Sequence, residues 1–202
     1  MARADVTWLE PIALRGQHVH LVPLNIAHRE GLEQAARDGE LWRLWYTSVP
    51  TPDGMAQEIE RRLRLQSQGT MLPWTVVDAR TGVIAGMTTY LNVDQGNRRV
   101  EIGATWYAKR VQRTPLNTEC KIMLLRHAFE TLDCVAVEFR TSFFNQQSRK
   151  AIERLGAKLD GILRNHTRHA DGSLRDTCVY SILPSEWPAV RSHLAHQLER
   201  PR

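Results

Sequence analysis

Residues 99–119 read Arg-Val-Glu-Ile-Gly-Ala-Thr-Trp-Tyr-Ala-Lys-Arg-Val-Gln-Arg-Thr-Pro-Leu-Asn-Thr-Glu, and two periodicities meet inside them. Arg99 to Tyr107 has the residue types of a strand. From Leu116 onward, Cys120, Met123, Leu124, His127 and Ala128 recur at helical spacing as far as Leu132, and Val135 to Phe139 is strand-like again. Strand, helix, strand is a βαβ crossover, which joins parallel neighbours.

The rest of the chain is organised around this unit. Upstream, Val19 to Pro23 reads as a first strand after an Arg15-Gly16 turn, followed by a polar helix over about Ala27–Asp38 and an aromatic stretch, Leu41 to Tyr46. Thr51 or Asp53 is the expected cap of a second helix, whose amphipathic run is Met55, Ile59 and Leu63 with Arg62 and Gln66. Pro73–Asp78 and Val83–Val93 precede the strand at Arg99, with turns at Ala79–Gly82 and Asp94–Asn97 too short for parallel crossovers, so these strands form an antiparallel meander. Downstream, a short helix from Ser148 to Leu155 stops at Gly156, a C′ position. Strands near Gly161–Thr167 and Arg175–Leu183 flank an Asp171-Gly172 hairpin turn, and Ser185-Glu-Trp-Pro opens a terminal helix. The expectation is an α/β (α+β) fold: one mixed, mostly antiparallel central sheet flanked by helices, in a single domain over residues 1–202.

Composition narrows the function. With 202 residues, 42% of them hydrophobic and 24% charged, the chain excludes two full catalytic domains and wholesale disorder. A net charge of +5 favours anionic ligands, and because the basic residues are spread along the chain, a small phosphorylated ligand accounts for it as well as nucleic acid, which is not expected. Cys120, Cys134 and Cys178 lie too far apart for zinc or thiol exchange and read as reduced thiols. The start, Met1 to Asp5, leads into no apolar leader and no segment approaches the ~18 apolar residues of a span, so a cytoplasmic protein without a membrane partner is expected. The histidine pairs 18/20, 166/169 and 193/196 lack the carboxylates or cysteines that would complete a metal site, and none is expected.

The turn Val111 to Glu119 carries the most chemistry. A helix start offers unpaired N–H groups and a positive dipole end, and Gln112, Arg113, Thr114 and Thr118 add donors, a set suited to a diphosphate. A plain polar N-cap is the alternative.

Glu101-Ile-Gly-Ala-Thr-Trp-Tyr, then Gln112 to Glu119, then Asn145-Gln-Gln-Ser148 with Glu153-Arg-Leu-Gly-Ala157, in that order, resembles the GNAT superfamily of acetyl-CoA-dependent N-acetyltransferases. Within it, the chain is most similar to the RimJ/RimL branch, which acetylates protein N-terminal amines and various small amines. The resemblance implies acetyl-CoA as cosubstrate and places the family's pyrophosphate loop on Gln112, Pro115 and Asn117. Here Pro115 removes a backbone donor where the family has Gly, and Arg113 or the side chains of Asn117 and Thr118 are the expected substitutes. It implies that Asn145 holds the pantetheine arm and that Ser148 lies near the sulfur, where it can donate to a leaving thiolate; the bland alternative for Ser148 is a helix N-cap. It implies that the backbone around Trp106 and Tyr107 binds pantetheine and offers an N–H to the thioester oxygen, the Trp106 ring being equally suited to the core.

The resemblance also makes Glu101 the group that takes the acceptor's proton. One extra residue stands between Glu101 and Trp106 relative to the common family form, so this role needs a bulge; without one, Glu101 is a surface charge on the other side of the sheet. Trp42, Trp45 and Tyr46 line either an acceptor pocket or ordinary packing. The expected reaction is direct acetyl transfer to a primary amine, protein N-terminal or peptide. The alternatives are a small-molecule N-acetyltransferase for an antibiotic or polyamine, and a non-catalytic acyl-CoA-binding module. A homodimer is compatible with the resemblance.

Overall fold

The computed structural model describes residues 8–47, 49–169 and 171–200; the Met1–Asp5 stretch lies outside them. Eight strands form one sheet: β1 (Leu14–Arg15), β2 (Val19–Pro23), β3 (Leu72–Asp78), β4 (Ile84–Asp94), β5 (Arg99–Tyr107), β6 (Ala136–Ser142), β7 (Lys158–Arg168) and β8 (Leu174–Ile182). Their spatial order is β1-β2-β3-β4-β5-β6-β8-β7. Every neighbouring pair is antiparallel except β5 and β6. That exception follows from the crossover through α3 (Pro115–Arg126), so the expected mixed, mostly antiparallel sheet is what the chain forms.

Side-chain alternation assigns the helices to faces. On one face lie α1 (Arg29–Arg37) and α2 (Met55–Ser67), with Arg62 of α2 reaching Thr89 on β4. On the other lies α3, where the hydroxyl of Tyr90, the next residue of β4, donates to the Leu124 carbonyl. The terminal helix α5 (Trp187–Glu199) packs against α3, and α4 (Gln146–Arg154) docks on Tyr180 of β8 through Arg149 and Glu153. The core runs through both layers. Trp74 and Tyr90, both fully buried, meet edge to face at 5.0 Å, and the Trp74 indole N–H is satisfied by the Ile12 carbonyl at 2.7 Å.

Two local readings need correction. The N-cap of α2 is Gly54, with neither Thr51 nor Asp53 capping the helix; the Thr51 hydroxyl accepts the Gly54 N–H and closes the preceding turn. The run along α2 packs inward as expected, with Met55, Ile59 and Arg62 buried and Leu63 half-buried against the same core. Ser148 does not begin its helix: Asn145 is the cap of α4, its Oδ1 accepting the Ser148 N–H at 3.0 Å, so Ser148 is the third helical residue. Gly156 does sit at the C′ position, with φ +96°. The short β1, which periodicity could not reveal, is held by a carboxylate from α3. Glu119 accepts the amides of Gln17, His18 and Val19 at 2.9, 2.6 and 3.0 Å, fixing the β1–β2 turn. At the far edge, β7 is exposed along nearly its whole length, including Leu159, Ile162 and Leu163.

Candidate active site

The parallel pair β5–β6 is registered at only three positions, Arg99 with Ala136, Val100 with Val137, and Glu101 with Glu138. Beyond Glu101 the two strands part. Strand β6 continues to pair with β8 through Ser142, and β5 continues to pair with β4 through Tyr107, so the β5 backbone from Gly103 onward turns an unpaired edge to the gap. An open edge of this kind is a template for an extended ligand with amide groups.

The bulge required by the sequence is present in β5. Thr89 pairs with Gly103 and Met87 with Trp106, so Ala104 and Thr105 together oppose Thr88. Ala104 takes φ +46°, a left-handed conformation that an L-residue keeps only when its surroundings hold it. The extra residue reverses the alternation. Thr105 and Tyr107 face α3, where they meet Lys121 and Cys120, while Trp106 lies on the same face as Glu101 and Gly103. Close packing fixes the β4 side: a Cβ at Gly86 would stand 2.0 Å from the Trp106 carbonyl oxygen, so only glycine fits there.

Glu101 is buried, on the α2 face beside the point of divergence. Its Oε2 accepts from Asn92 Nδ2 at 2.7 Å and lies 3.4 Å from the Arg140 guanidinium. A Cβ at Gly103 would come within 2.8 Å of Glu101 Oε1, so the glycine leaves room for the carboxylate over the strand. Burial raises the Glu101 pKa above the ordinary carboxylate value, and the Asn92 bond and Arg140 only partly oppose it. Glu138, its neighbour on β6, is also raised by burial, but bonds from Arg99 and Arg140 outweigh that and hold it below the ordinary value. Two adjacent carboxylates with pKa values driven apart can serve as a proton acceptor and a fixed charge. Arg99, Glu138 and Arg140 continue with Asp160 and Ser181 into a shallow cleft of mixed character, whose other walls include Leu163, Val179 and Leu183.

At the other end of β5, the loop to α3 carries the remaining predicted donors. Gln112 turns inward, its side-chain amide donating to the Tyr107 carbonyl at 3.0 Å. Arg113 adopts φ +61°, and Thr114 caps α3, donating to Val111 O and accepting from Leu116 N at 3.4 Å. Pro115 occupies the first turn. It brings no N–H, and Leu116 is capped, so Asn117 is the first-turn amide left for an anion. Asn117 Oδ1, Thr118 Oγ1 and Trp106 Nε1 are buried without a hydrogen-bond partner among the described residues. Unsatisfied polar atoms are rare in a protein interior, and of these three the Thr118 hydroxyl and the Trp106 indole N–H are donors that an anionic ligand could satisfy, whereas Asn117 Oδ1 only accepts.

The acetyltransferase (GNAT) domain family matches residues 18–158. The chain belongs to this family. Among GNAT relatives, the Bacillus subtilis (strain 168) protein named "Putative ribosomal N-acetyltransferase YdaF" is 34% identical over 106 residues. That match spans 52% of this chain and 57% of the relative, little more than half the length of each. A GCN5-related N-acetyltransferase from Brucella melitensis superposes with a TM-score of 0.84 at 28% identity, covering 94% of this chain and 86% of that one. The crystal structure of Mycobacterium smegmatis RimJ in complex with CoA-disulfide shares the fold with a TM-score of 0.76 at 20% identity, covering 89% and 88%. The cosubstrate of GNAT enzymes is acetyl-CoA, and the gap, the unsatisfied atoms and the capped loop are the parts of this chain that fit it.

Aromatic residues from three loops come together. Trp45, Phe144 and His169 meet with ring centroids 5.6 and 5.3 Å from the indole, and Tyr46 stands edge-on to Trp45 at 5.6 Å. Trp45 and Phe144 are largely exposed, so these aromatics are not core. Sequence reasoning found Trp45 and Tyr46 but not Phe144 or His169, which nothing in the local pattern links to them. It also missed the Asn92 and Arg140 contacts to Glu101 and the burial of Arg62. For Arg62 a signal existed: a guanidinium at an apolar-stripe position of an amphipathic helix.

Proposed function

We propose that the protein transfers the acetyl group of acetyl-CoA directly to a primary amine at the end of a protein or peptide. The observation that carries this is the divergence of β5 from β6 immediately after Glu101 and Glu138, with the bulge that brings Trp106 to the face of Glu101. Bound acetyl-CoA supplies an activated acyl carbonyl with a thiolate leaving group. The loop from Gln112 through Arg113 and Thr114 to Asn117 and Thr118 receives the diphosphate, with the Asn117 amide, the unsatisfied Thr118 hydroxyl and the Arg113 side chain as donors. The backbone of Trp106 and Tyr107 pairs with the pantetheine arm and directs an N–H at the carbonyl oxygen, where charge develops. Asn145 uses Oδ1 to cap α4, which leaves Nδ2 to donate to a pantetheine carbonyl. Glu101 takes the proton of the acceptor ammonium, directly or through one water, a task suited to a carboxyl whose pKa is raised by burial. Ser148, half-buried one turn from Asn145, donates to the departing sulfur.

A terminal amine of a polypeptide is favoured over a small amine because the acceptor side is open. The shallow cleft past Glu138 and Arg140 and the exposed aromatics at Trp45 and Phe144 leave room for a chain to extend. The described residues include no helix long and apolar enough to cross a membrane. Incubation with acetyl-CoA and a panel of peptides and small amines, read by mass spectrometry, tests the proposal. Acetylated peptides are expected; products from small amines alone would reassign the acceptor, and CoA binding without any product would make the chain a non-catalytic module.

A further inference from the structure

Two buried cations outside the proposed chemistry converge on the bulge of β5. From α2, Arg62 is only 2% exposed, pairs with Glu58 at 2.7 Å, and donates to Thr89 Oγ1 at 2.6 Å and to the Ala104 carbonyl at 3.3 Å. From α3 on the opposite face, Lys121 is 7% exposed and its Nζ donates to Thr105 Oγ1 at 3.1 Å, which lies 2.8 Å from Thr88 Oγ1. The contacts fall on both bulge residues, Ala104 and Thr105, and on consecutive β4 residues, Thr88 and Thr89, one of which is the residue the bulge opposes.

Burying an ammonium or guanidinium is costly unless its partners offset the lost hydration. Glu58 answers for Arg62, but no carboxylate pairs with Lys121 among the described ion pairs. What both groups hold is a strained backbone. Ala104 lacks the freedom of glycine and is kept at φ +46° while its strand has no β6 partner to define its path.

We propose that Arg62 and Lys121 are positioning residues that grip the β5 bulge from opposite faces of the sheet and so fix the open edge against which the thioester is held. The proposal deepens the acetyltransferase reading and rests on it for its kinetic consequence, but the grip itself is a property of the free protein. Neither side chain touches the acetyl group; each acts through the path of residues 103–107. Loosening that path displaces the thioester carbonyl from its N–H donor and from Glu101, and a misplacement of about 1 Å costs on the order of 10²-fold in rate. The diphosphate loop, which lies beyond the bulge, is left in place.

Hydrogen exchange and steady-state kinetics on the full chain test this together. Arg62→Met and Lys121→Met are expected to raise exchange of the residue 103–107 amides at least about tenfold while β2, β3 and β8 keep their protection. They are also expected to lower kcat by roughly 10- to 100-fold with the KM for acetyl-CoA changed by less than about threefold. Adding Ala104→Gly to Arg62→Met should recover part of the lost kcat, because glycine adopts the bulge conformation without restraint, whereas a merely structural loss would not be rescued. Should Arg62→Met fail to fold, Thr105→Val removes the bulge hydroxyl that Lys121 grips and gives the same readout. Unchanged exchange at 103–107, exchange raised equally throughout the sheet, or an unaltered kcat would overturn the proposal. If wild type neither binds CoA nor transfers acetyl, the functional reading fails, and the exchange measurement alone decides the grip.

Discussion

Glu101 and Gly103 show how much a single position can carry. Replacing Glu101 by Gln keeps the shape and an acceptor for Asn92 but removes the base, so kcat/KM should fall by roughly 10² near neutral pH and recover partly at higher pH as more acceptor arrives as free amine. The same variant has a thermodynamic signature of opposite sign. Because burial raises the native Glu101 pKa, the folded state binds more protons than the unfolded one between about pH 4.3 and the native value, and stability falls as pH rises through that window. The Tm of Glu101→Gln relative to wild type should therefore climb between pH 4 and pH 8 in calorimetry; a constant difference would mean the carboxyl is not shifted. Gly103→Ala places a methyl group where Glu101 Oε1 now lies, and the displaced carboxylate should reduce kcat with little change in the KM for acetyl-CoA. Ser148→Ala separates two roles. With Asn145 as the cap, loss of the Ser148 hydroxyl should leave the melting temperature nearly unchanged, so any fall in kcat reports its donation to the sulfur.

At the scale of elements, helix ends and the strand pairing divide what the chain announces from what only packing decides. The crossover, the meander and the C′ glycine at 156 were legible because each depends on a local period or a local turn. The cap of α4 was not, since Asn145 and Ser148 are both good caps and which one wins is set by how the β6 exit docks. Asn145→Ala should cost about 1 kcal/mol of stability as a lost cap and weaken CoA binding as well, whereas Ser148→Ala should do neither. The bulge was foreseeable only as a condition on Glu101. Its place at Ala104 depends on Thr88 of another strand and on side chains from two helices, which no window of β5 contains. The β1–β2 turn is a similar case. Three amides wait for Glu119, about a hundred residues away, and Glu119→Gln should lower the Tm while leaving kcat intact.

For the whole molecule, a ligand that binds only the folded chain stabilises it by mass action, and acetyl-CoA at a hundred times its Kd should add about 2.7 kcal/mol, visible as a rise in Tm that shrinks with added salt. No shift at any concentration would remove the diphosphate assignment. The sheet itself opens through a mismatch of contour length. Between the Gly103 and Trp106 pairings, β5 spends one more residue than β4, about 3.3 Å of surplus chain that β4 returns only between Leu91 and Asp94, so over that stretch the pair curves toward β4. That curvature carries β5 away from β6. Deleting Ala104 would equalise the two lengths over that stretch and still leave Glu101, Trp106, Thr105 and Tyr107 on their present faces, so every reactive group would survive in a sheet with a narrower cleft. Loss of CoA binding in that deletion would show that the groove is made by counting residues, before any side chain is chosen to line it.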